Sequence, residues 1–477
     1  MASNYRHGGY ADDGTTGATN GQTYQPGPAG SDERNSLSDT EKAAAVKPTS
    51  SADKNDPFGD ESNSEVKYRT MHWWQAGMIM IAETISLGIL SLPSVLAAVG
   101  LVPGVILIAG LGILATYTGY VIGQFKMAYP HVHNMADAGM VMLGPWGREI
   151  FGGAQMLFLI FIMGSHILTF SIMMNTVTAH GTCTIVFSVV GFLISVVCSL
   201  PRTLHKVSYL SIVSFISIIG AVLITMIGVG VSKPDAHVDA TLKSGFAPAF
   251  LAVTNIIFAY AGHVAFFSFI SELHTPTHYP RSLFLLQGCD TSMYIIAAIV
   301  IYRYAGADVA SPALGSASTT VSKVAYGIAI PTIVIAGVIN GHVAAKYIYV
   351  RKYRGTDRMS KASWSSFGIW LIIISVLWTI AWIIAEAIPV FNDLLGLISA
   401  LFASWFTYGL SGAFWLFLNK GRYRESGRKM FLTGLNFVIF CIGAAICGIG
   451  LYASGTAINK DAKTSNGSFT CADNSKE

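Results

Sequence analysis

The chain has few charged side chains for its length, since Asp, Glu, Lys and Arg make up only 12% of its 477 residues. A soluble domain usually carries about twice that fraction. The first 66 residues hold 16 of the 56 charged side chains, which leaves 40 for the remaining 411 residues. Because so few charges cannot cover a soluble surface, we exclude a soluble enzyme or a nucleic-acid-binding protein and predict a polytopic membrane protein.

The sequence also lacks the motifs that carry common enzyme chemistry. Its six cysteines have no metal-ligand spacing, and it has no P-loop, nucleophile elbow or dinucleotide fingerprint. No predicted inner loop is long enough for a nucleotide-binding domain, which argues against an ATP-driven pump. The polar N-terminus lacks the apolar core of a signal peptide. We therefore predict a gradient-driven carrier without enzyme activity, cofactor or resident metal.

Composition divides the chain into three parts. Residues 1–66 are rich in Gly, Ser, Thr, Asn, Asp and Pro and contain hardly a large aliphatic side chain. Such a segment cannot bury enough apolar surface to offset the entropy lost on ordering. We predict a disordered cytoplasmic N-terminal tail there, a transmembrane transporter domain over residues 67–455, and an extracellular C-terminal tail over residues 456–477.

Eleven predominantly apolar runs of about 20 residues follow the N-terminal tail, each long enough to cross a hydrocarbon layer of about 30 Å as a helix. The predicted spans are 73–98, 102–125, 150–178, 182–200, 207–231, 246–270, 283–304, 322–345, 365–388, 394–418 and 430–453. The sequence therefore predicts an all-α membrane protein with eleven transmembrane helices.

The positions of Lys and Arg predict the orientation of these spans. With the N-terminus in the cytoplasm, the inner segments of residues 67–477 hold 18 Lys and Arg residues and the outer segments hold seven. Positive charge concentrates on the cytoplasmic side of membrane proteins. Eleven spans then place the C-terminal tail outside, where Asn466, in the sequon Asn466-Gly467-Ser468, is available for glycosylation.

Two spans contain residues that interrupt helices. Gly88 and Pro93 weaken the first span, and the small or polar segment 258–263 (Phe-Ala-Tyr-Ala-Gly-His) lies near the middle of the sixth. Because these spans are five apart, they are corresponding members of two five-helix halves. Interrupted helices at matching positions indicate the midplane binding site of an inverted-repeat transporter.

The two predicted interruptions together define a candidate substrate site. Amides freed near residues 86–88 suit a substrate carboxylate, and carbonyls freed near residues 258–259 suit an ammonium group. The scarcity of charge favours substrates with neutral side chains, and Tyr260 is a candidate for contact with those side chains. The predicted substrate-binding residues are Thr84, Ile85, Ser86, Leu87, Gly88, Phe258, Ala259, Tyr260 and Gly262.

Glu83 is the only charged residue between Arg69 and Lys126, an interval that covers two spans. An ionised carboxylate at the bilayer centre costs about 3 kcal/mol, so such a residue is a functional candidate. We interpret Glu83 as a proton-coupling residue, with His263 as the second candidate. The alternative is a protonated Glu83 that only joins neighbouring helices.

Other polar residues also lie within or beside the predicted spans. Asn340 is a candidate lining residue of the substrate site. Asp290 lies in the seventh span, and the sequence does not identify the group with which it pairs. Glu386 and Asp393 flank an outer loop and are predicted to be solvated. Sodium coupling stays open, since hydroxyl groups such as that of Thr332 are suitable cation ligands.

Three motifs resemble those of a known family. Residues 88–93 (Gly-Ile-Leu-Ser-Leu-Pro) resemble the first helix of the amino acid/auxin permease family, and residues 258–263 resemble its sixth-helix signature. Tyr294, Tyr304 and Gly306 resemble its seventh helix. The similarity covers residues 70–455 and is greatest to fungal neutral amino acid permeases of the methyltryptophan-resistance type. One departure is Ser86, which stands where the family often has glycine.

The resemblance implies the five-plus-five inverted repeat of the bacterial leucine transporter, with one extra helix. It also implies import of neutral amino acids, aliphatic or aromatic, across the plasma membrane by proton symport with alternating access. Lys42, Lys47 and Lys54 in the tail are implied acceptors for a ubiquitin ligase. An amino acid sensor of the same fold, a sodium-coupled carrier and a vacuolar carrier remain alternatives, and a disulfide between Cys183 and Cys471 is left open.

Overall fold

The computed structural model describes residues 67–202, 204–232, 237–354, 356–360, 363–461 and 468–475. The predictions of a disordered N-terminal tail, of ubiquitin acceptors and of glycosylation at Asn466 concern residues outside these ranges. Within them the chain is helical apart from connecting loops, short 3₁₀ turns and an isolated β-bridge.

Fourteen α-helices make up the described part of the chain, and a π-helical stretch, Ser399–Gly409, joins two of them. In chain order they are α1 Trp73–Val99, α2 Leu101–Ala128, α3 Met135–Thr178, α4 Thr184–Cys198, α5 Leu204–Ser232, α6 Phe246–Ala259, α7 His263–Glu272, α8 Tyr279–Ala305, α9 Thr319–Tyr353, α10 Asp357–Ser360, α11 Trp364–Ala387, α12 Phe391–Ile398, α13 Leu410–Leu418 and α14 Gly427–Asp461.

These helices account for the eleven predicted spans. Ten helical segments of the described chain are long and apolar enough to cross a membrane, with α6 and α7 forming one and α12 to α13 another. The eleventh, α4, is an apolar helix of 15 residues. At 1.5 Å per residue it is about 22 Å long, shorter than the other spans. The predicted all-helical membrane fold is confirmed.

The packing of the helices follows an internal repeat. Helix α1 packs against α5, the fifth span of its own half, and against α8, the second span of the other half. Its counterpart α6–α7 packs against the π-helical stretch of the tenth span and against α2, the second span of the first half. The third members of each half, α3 and α9, pack against each other, as do α1 and α6. These paired contacts are those expected of two inverted five-helix units, with α14 packed outside them.

The predicted interruption of the first span is wrong. Helix α1 is continuous from Trp73 to Val99 although it contains Pro93. The hydroxyl of Ser91 donates to the carbonyl of Gly88 at 2.9 Å, and that of Ser94 donates to the carbonyl of Ser91 at 2.7 Å. Pro93 removes only the amide partner of the Ile89 carbonyl, and a proline is tolerated within a transmembrane helix, so the helix continues.

The predicted interruption of the sixth span is confirmed. Helix α6 ends at Ala259 and α7 begins at His263, with Tyr260, Ala261 and Gly262 between them. The amide of Ala261 donates to the carbonyl of Phe258 at 3.0 Å, which closes a tight turn at the end of α6. The chain therefore presents the end of one half-helix and the start of another at the same depth.

The third span begins earlier than predicted. The sequence predicted a start at residue 150, but α3 begins at Met135 and bends at Gly144, where φ is 69°. The side chain of Asn134 accepts a hydrogen bond from the amide of Asp137 and caps the helix. Pro145 lies directly after the bend and interrupts the apolar pattern. The first three turns of this helix were therefore not predicted from apolar runs.

The segment 468–475 is attached to the bundle. A disulfide joins Cys471 to Cys183 at the start of α4. Asn474, further along the segment, accepts from Asn175 Nδ2 at 2.8 Å and donates to Ser171 Oγ at 3.0 Å, both on α3. The disulfide that the sequence left open is therefore present, and it holds this part of the predicted C-terminal tail against α3 and α4.

Candidate functional site

A small cavity lies where α1, α3 and α9 meet the link between α6 and α7. Its volume is about 20 Å³, room for about one water molecule. It is lined by Glu83, Thr84, Leu87, Ile162, His166, Phe258, Ala261, Gly262 and Asn340. The helices are therefore closed around the site in this conformation.

Six of the nine residues that line this cavity were predicted from the sequence, and six further predicted residues do not line it. The predicted residues that line it are Glu83, Thr84, Leu87, Phe258, Gly262 and Asn340. The predicted residues that are not part of the lining are Ile85, Ser86, Gly88, Ala259, Tyr260 and His263. Ile162, His166 and Ala261 were not predicted, and only the unusual position of His166 within an apolar span signalled one of them.

Helical spacing decides which residues of α1 face the cavity. Glu83, Thr84 and Leu87 lie within one turn on one face, whereas Ser86 points to α9 and donates to the carbonyl of Thr332 at 3.3 Å. Gly88 lies against α6, where an added Cβ would be 2.7 Å from Ala259 Cα. Gly88 therefore permits close packing of α1 on α6 and does not form a gap for substrate.

Gly262 brings the α6–α7 link against α1. A Cβ at this position would lie 2.8 Å from Thr84 Cγ2 and 3.0 Å from Glu83 Oε2. No side chain fits in that space without displacing α1. The glycine predicted as part of the site thus fixes the distance between the carboxyl group of Glu83 and the start of α7.

Three polar side chains define the chemistry of the cavity. Glu83 Oε2 and Asn340 Oδ1 have no hydrogen-bond partner among the described residues, although both side chains are buried. His166 Nδ1 donates to the carbonyl of Ile333 at 2.8 Å, which fixes its tautomer because a carbonyl only accepts. The cavity therefore offers two unused acceptor oxygens to a ligand.

Tyr260 and His263 face away from the cavity towards α2. His263 Nε2 donates to the carbonyl of Ala115 at 2.9 Å and lies 3.1 Å from Thr118 Oγ1. The hydroxyl of Tyr260 donates to the carbonyl of Ile108 at 3.1 Å. Both side chains contribute to packing on α2, and neither is placed to touch a ligand in this conformation.

The structure supplies the partner of Asp290 that the sequence did not reveal. Asp290 is fully buried, and its Oδ2 lies 2.7 Å from Thr84 Oγ1 on α1. The prediction that Glu386 and Asp393 are solvated is wrong, since both are buried. Ser188 on α4 donates a hydrogen bond to the carboxyl group of Glu386.

One end of the bundle, formed by Trp73, Glu272 and Tyr353 and named the inner end after the predicted orientation, is closed by buried charge. Glu272 at the end of α7 forms an ion pair with Lys346 on α9. The ring of Tyr68 lies 5.0 Å from Lys346 Nζ, and burial raises the pKa of Tyr68 to about 12, so this hydroxyl stays neutral.

The segment that precedes α1 crosses the inner end. Met71 donates through its amide to the carbonyl of Glu272 at 3.1 Å and accepts from the amide of His274 at 2.8 Å. Lys126 on α2 donates to the carbonyl of Pro130 at 2.7 Å and to Ser271 Oγ at 2.9 Å. Helices α2, α7 and α9 are therefore joined below the cavity.

The opposite end, formed by Val99, Phe246 and Phe391 and named the outer end after the same prediction, is less tightly closed. A cavity of about 440 Å³, here named the outer vestibule, is lined by Ser94, Ala247, Pro248, Leu251, Val309, Ala310, Ser311, Val390, Phe391, Asn392, Asp393, Ala453, Thr456, Ala457 and Lys460. Asn392 Oδ1 accepts from Asn255 Nδ2 at 3.2 Å and from Ser311 Oγ at 2.8 Å. The volume lies within the range of about 300–1,000 Å³ typical of small-molecule pockets.

The family model described as "Transmembrane amino acid transporter protein" matches residues 69–456. The chain belongs to this family. It is 38% identical over 408 residues to the "N amino acid transport system protein" of Neurospora crassa, covering 83% of this chain and 86% of that one. It is 31% identical over 427 residues to a "Transmembrane transporter" of Gibberella moniliformis, covering 87% of this chain and 90% of that one.

Two solved structures share the fold of this family member at low sequence identity. A Na⁺-coupled sialic acid symporter superposes with a TM-score of 0.52 at 12% identity, covering 83% of this chain and 92% of that one. Mhp1, a nucleobase-cation-symport-1 family transporter in a closed conformation, superposes with a TM-score of 0.50 at 14% identity, covering 88% and 99%. The predicted five-plus-five fold is confirmed.

Family and fold together establish the general function. The chain is an amino acid transporter with the fold of secondary transporters, and it is not an enzyme. The predicted family is therefore confirmed.

Proposed function

We propose that this transporter imports neutral amino acids across the plasma membrane together with protons, by alternating access. The observation that carries the proposal is the cavity at the α6–α7 break, which lies between the two repeats and combines apolar side chains with one carboxyl group. Substrate sites of inverted-repeat transporters lie at this position. The cavity is too small to hold an amino acid, so we assign this conformation to a closed stage of the transport cycle.

The proposed pose of the substrate differs from the one predicted from sequence. The amides of residues 86–88 lie within the continuous helix α1, so they are not available to a carboxylate. The amides of His263 and Val264 at the start of α7 have no partner within their helix and lie at the positive end of its dipole, whereas the amide of Ala265 donates to the carbonyl of Gly262. We place the α-carboxylate of the amino acid at this helix start.

The ammonium group is placed at the unused oxygens of the cavity. The carbonyl of Ala259, predicted as an ammonium partner, already accepts from the hydroxyl of Tyr294 at 2.8 Å. Glu83 Oε2 and Asn340 Oδ1 have no partner among the described residues and lie at the cavity. An ammonium group donates three hydrogen bonds, and these oxygens are suitable acceptors for two of them.

The lining favours a neutral side chain on the substrate. Leu87, Ile162 and Phe258 are the large apolar members of the lining, and it contains no lysine or arginine. An acidic substrate side chain would lose its hydration without gaining a counter-charge, and a basic one would compete with the ammonium group for Glu83. Aliphatic and aromatic amino acids are the proposed class.

Glu83 is the proposed proton-coupling residue. It lies at the cavity, is buried, and has no cationic partner among the described residues. A neutral, protonated Glu83 is stable in the closed cavity, whereas an ionised one requires contact with water. Glu83 binds its proton at the outer side and releases it with the substrate at the inner side, and the empty carrier returns with Glu83 ionised and in contact with water. His263 is the weaker candidate, since it faces α2.

Counterflow in proteoliposomes with a panel of amino acids, with and without a pH gradient, tests both proposals. Wild-type protein should exchange neutral amino acids and accumulate them when the outside is acidic. Glu83→Gln keeps the shape but removes titration, so exchange should persist while acid-driven accumulation is lost. Undiminished accumulation in this variant would exclude Glu83, and His263→Gln in the same assay would then test the second candidate.

The proposed orientation has two supports. The distribution of Lys and Arg favours a cytoplasmic N-terminus, and a disulfide such as that between Cys183 and Cys471 is stable on an oxidising side of the membrane. A cysteine introduced in residues 352–360 should resist impermeant reagents added to intact cells. Efficient labelling there would reverse the orientation, and localisation to the vacuolar membrane would overturn the plasma-membrane assignment.

The N-terminal tail is proposed to control turnover and not transport. Deletion of residues 1–60 should leave uptake per transporter at the cell surface unchanged, because the tail contributes no apolar core. Replacement of Lys42, Lys47 and Lys54 by arginine should slow removal from the membrane by a ubiquitin ligase. Unchanged turnover in that triple variant would contradict the second statement.

Sodium coupling is the second candidate mechanism, and one observation favours it. Ser86 on α1, Ser214 on α5 and Thr332 on α9 meet in the core, with Ser86 Oγ 3.3 Å from the carbonyl oxygen of Thr332 and Ser214 Oγ 3.0 Å from Thr332 Oγ1. Hydroxyl and carbonyl oxygens of this kind are ligands for hard cations. Uptake that requires sodium at constant pH, and that Thr332→Val abolishes, would favour this mechanism over proton symport.

A sensor of the same fold would give a different result in the transport assay. Such a protein would bind an amino acid without net movement across the membrane. Saturable binding to the purified chain, combined with no counterflow in proteoliposomes, would support the sensor and contradict transport.

A further inference from the structure

Two carboxyl groups lie together in the core, one at the cavity and one behind it. Glu83 on α1 lines the cavity, and Asp290 on α8 is fully buried and contacts Thr84, the neighbour of Glu83. The two groups are close enough to interact electrostatically. Among the described residues, no lysine, arginine or histidine contributes to the electrostatic environment of either group.

The hydroxyl of Thr84 indicates where a proton resides. Thr84 Oγ1 lies 2.9 Å from the carbonyl oxygen of Met80 and 2.7 Å from Asp290 Oδ2. A threonine hydroxyl has one proton, and a carbonyl oxygen only accepts. Both contacts are hydrogen bonds when Thr84 donates to Met80 and Asp290 donates to Thr84, and this arrangement requires a proton on Asp290.

The other titratable groups around Asp290 are neutral types. They are Tyr260 on the α6–α7 link and Cys289 and Tyr294 on α8. Neither tyrosine donates to Asp290, because their hydroxyls donate to backbone carbonyls. None of the described titratable groups on α2 or α5, the other long helices packed against α8, contributes to the environment of Asp290.

The second oxygen of Asp290 supports the same assignment. Asp290 Oδ1 has no hydrogen-bond partner among the described residues, and the side chain is fully buried. An ionised carboxylate in this position would lose its hydration without compensation. Two adjacent ionised carboxylates would add repulsion to that cost.

We propose that Asp290 is a neutral carboxylic acid that donates a hydrogen bond to Thr84 and thereby positions Glu83 as the group that exchanges the coupled proton. The pair holds one proton on Asp290 throughout the cycle and exchanges a second at Glu83. In each cycle an O–H bond forms on Glu83 at one side and breaks at the other, while the O–H bond of Asp290 stays intact. Asp290 is a positioning residue, and this inference rests on the proposed proton coupling by Glu83.

The first test compares Asp290→Asn with Asp290→Leu in proteoliposomes. The amide of asparagine donates to Thr84 as the protonated acid does, so acid-driven uptake should persist with the wild-type pH midpoint. Leucine has a similar volume but donates nothing, so uptake should fall. If Asp290 were ionised, Asp290→Asn would remove a negative charge beside Glu83 and move the midpoint to lower pH by about one unit or more. That shift would overturn the proposal.

The second test does not depend on transport. Infrared spectra of the purified full-length chain at neutral pH should contain a carboxylic acid C=O band from Asp290. The spectra of Asp290→Asn should lack this band. Thr84→Val removes the acceptor, so the same band should move to higher frequency. If Asp290→Asn does not fold, the comparison of wild type with Thr84→Val decides alone. An unchanged spectrum in Thr84→Val, or loss of the band on addition of sodium ions, would contradict a protonated Asp290.

The two tests separate this inference from the proposed function. Acid-driven accumulation in Glu83→Gln would exclude proton coupling by Glu83 and leave the Asp290 band in place. A missing Asp290 band with normal coupling through Glu83 would overturn the positioning role alone.

Discussion

At the inner end of the bundle a buried ion pair joins Glu272 to Lys346, whereas at the outer end amides and a hydroxyl face each other beside a cavity of about 440 Å³. Removing one partner of a buried ion pair costs about 3–5 kcal/mol, whereas removing one partner of a neutral hydrogen bond costs about 1–3 kcal/mol. We therefore expect substitutions at the inner end to have larger effects than substitutions at the outer end.

The largest expected effect is loss of inner closure in Lys346→Met. The variant removes the positive charge that pairs with the buried carboxylate of Glu272, so the closed inner end should lose about 3–5 kcal/mol. A cysteine introduced near Tyr68 should then react faster with reagents applied from the inner side, and the thermal transition should fall. Arg351→Met is the matched control on the same helix, because its pair with Glu149 is exposed and contributes about 0–1 kcal/mol.

A double variant sharpens this prediction. Glu272→Gln combined with Lys346→Met removes both charges, so most of the lost stability should return. Equal destabilisation in Lys346→Met and Arg351→Met would show that the buried pair does not close the inner end.

At the outer end, Cys471→Ser should loosen the segment 468–475, which Thr184 on α4 still holds through a hydrogen bond to the carbonyl of Ala472. Removal of a native disulfide typically costs about 2–5 kcal/mol, and the remaining hydrogen bonds of Asn474 to α3 should keep the loss at the lower part of this range. Thermal unfolding of the purified protein measures the loss, and uptake should persist because the segment lies away from the cavity. Cys441→Ser, a free and exposed cysteine, is the control and should change neither property.

Asn392→Ala should favour opening of the outer vestibule. The variant removes the acceptor of Asn255 and Ser311, which weakens the outer end by about 1–3 kcal/mol. Exchange of substrate at the outer side should become faster, while accessibility from the inner side stays unchanged. Equal increases in accessibility from the inner and the outer side would show that the two ends do not open independently.

The smallest expected effect concerns His133, which lies between α2 and α3 at the inner end. Burial, followed by the nearby charges of Lys346 and Lys126, holds the pKa of His133 well below its usual value. In an open inner end the histidine would regain a pKa of about 6.5, so protonation favours the open form as the pH falls below that value. The closed inner end should lose up to about 1.4 kcal/mol per pH unit in that range. His133→Gln should remove this part of the acid sensitivity, measured as inner-side accessibility against pH.

Much of the fold was predictable because membranes impose simple rules on sequence. A run of about 20 apolar residues with few charges has to become a helix, since no water is available for unpaired backbone groups. The number of spans, the break at residues 260–262 and the pairing of two halves all followed from local composition. Predicted starts were less accurate, as α3 shows, because Pro145 and Gly144 bend that helix without ending it.

The candidate site was predictable only in part. Helical periodicity made Glu83, Thr84 and Leu87 neighbours, and the break in the sixth span marked Gly262. The direction in which Tyr260 and His263 point depends on α2, which is more than 130 residues earlier in the chain. No local pattern encodes such a contact.

The sequence by itself determined that this chain crosses a membrane repeatedly, as two related halves, with one carboxylate in its first span. Those properties depend on composition and spacing along the chain. Only the tertiary structure decided that α1 continues past Gly88, that Asp290 meets Thr84, and that Glu272 pairs with Lys346. These outcomes depend on which distant side chains satisfy a buried polar group, and that is settled when the helices pack.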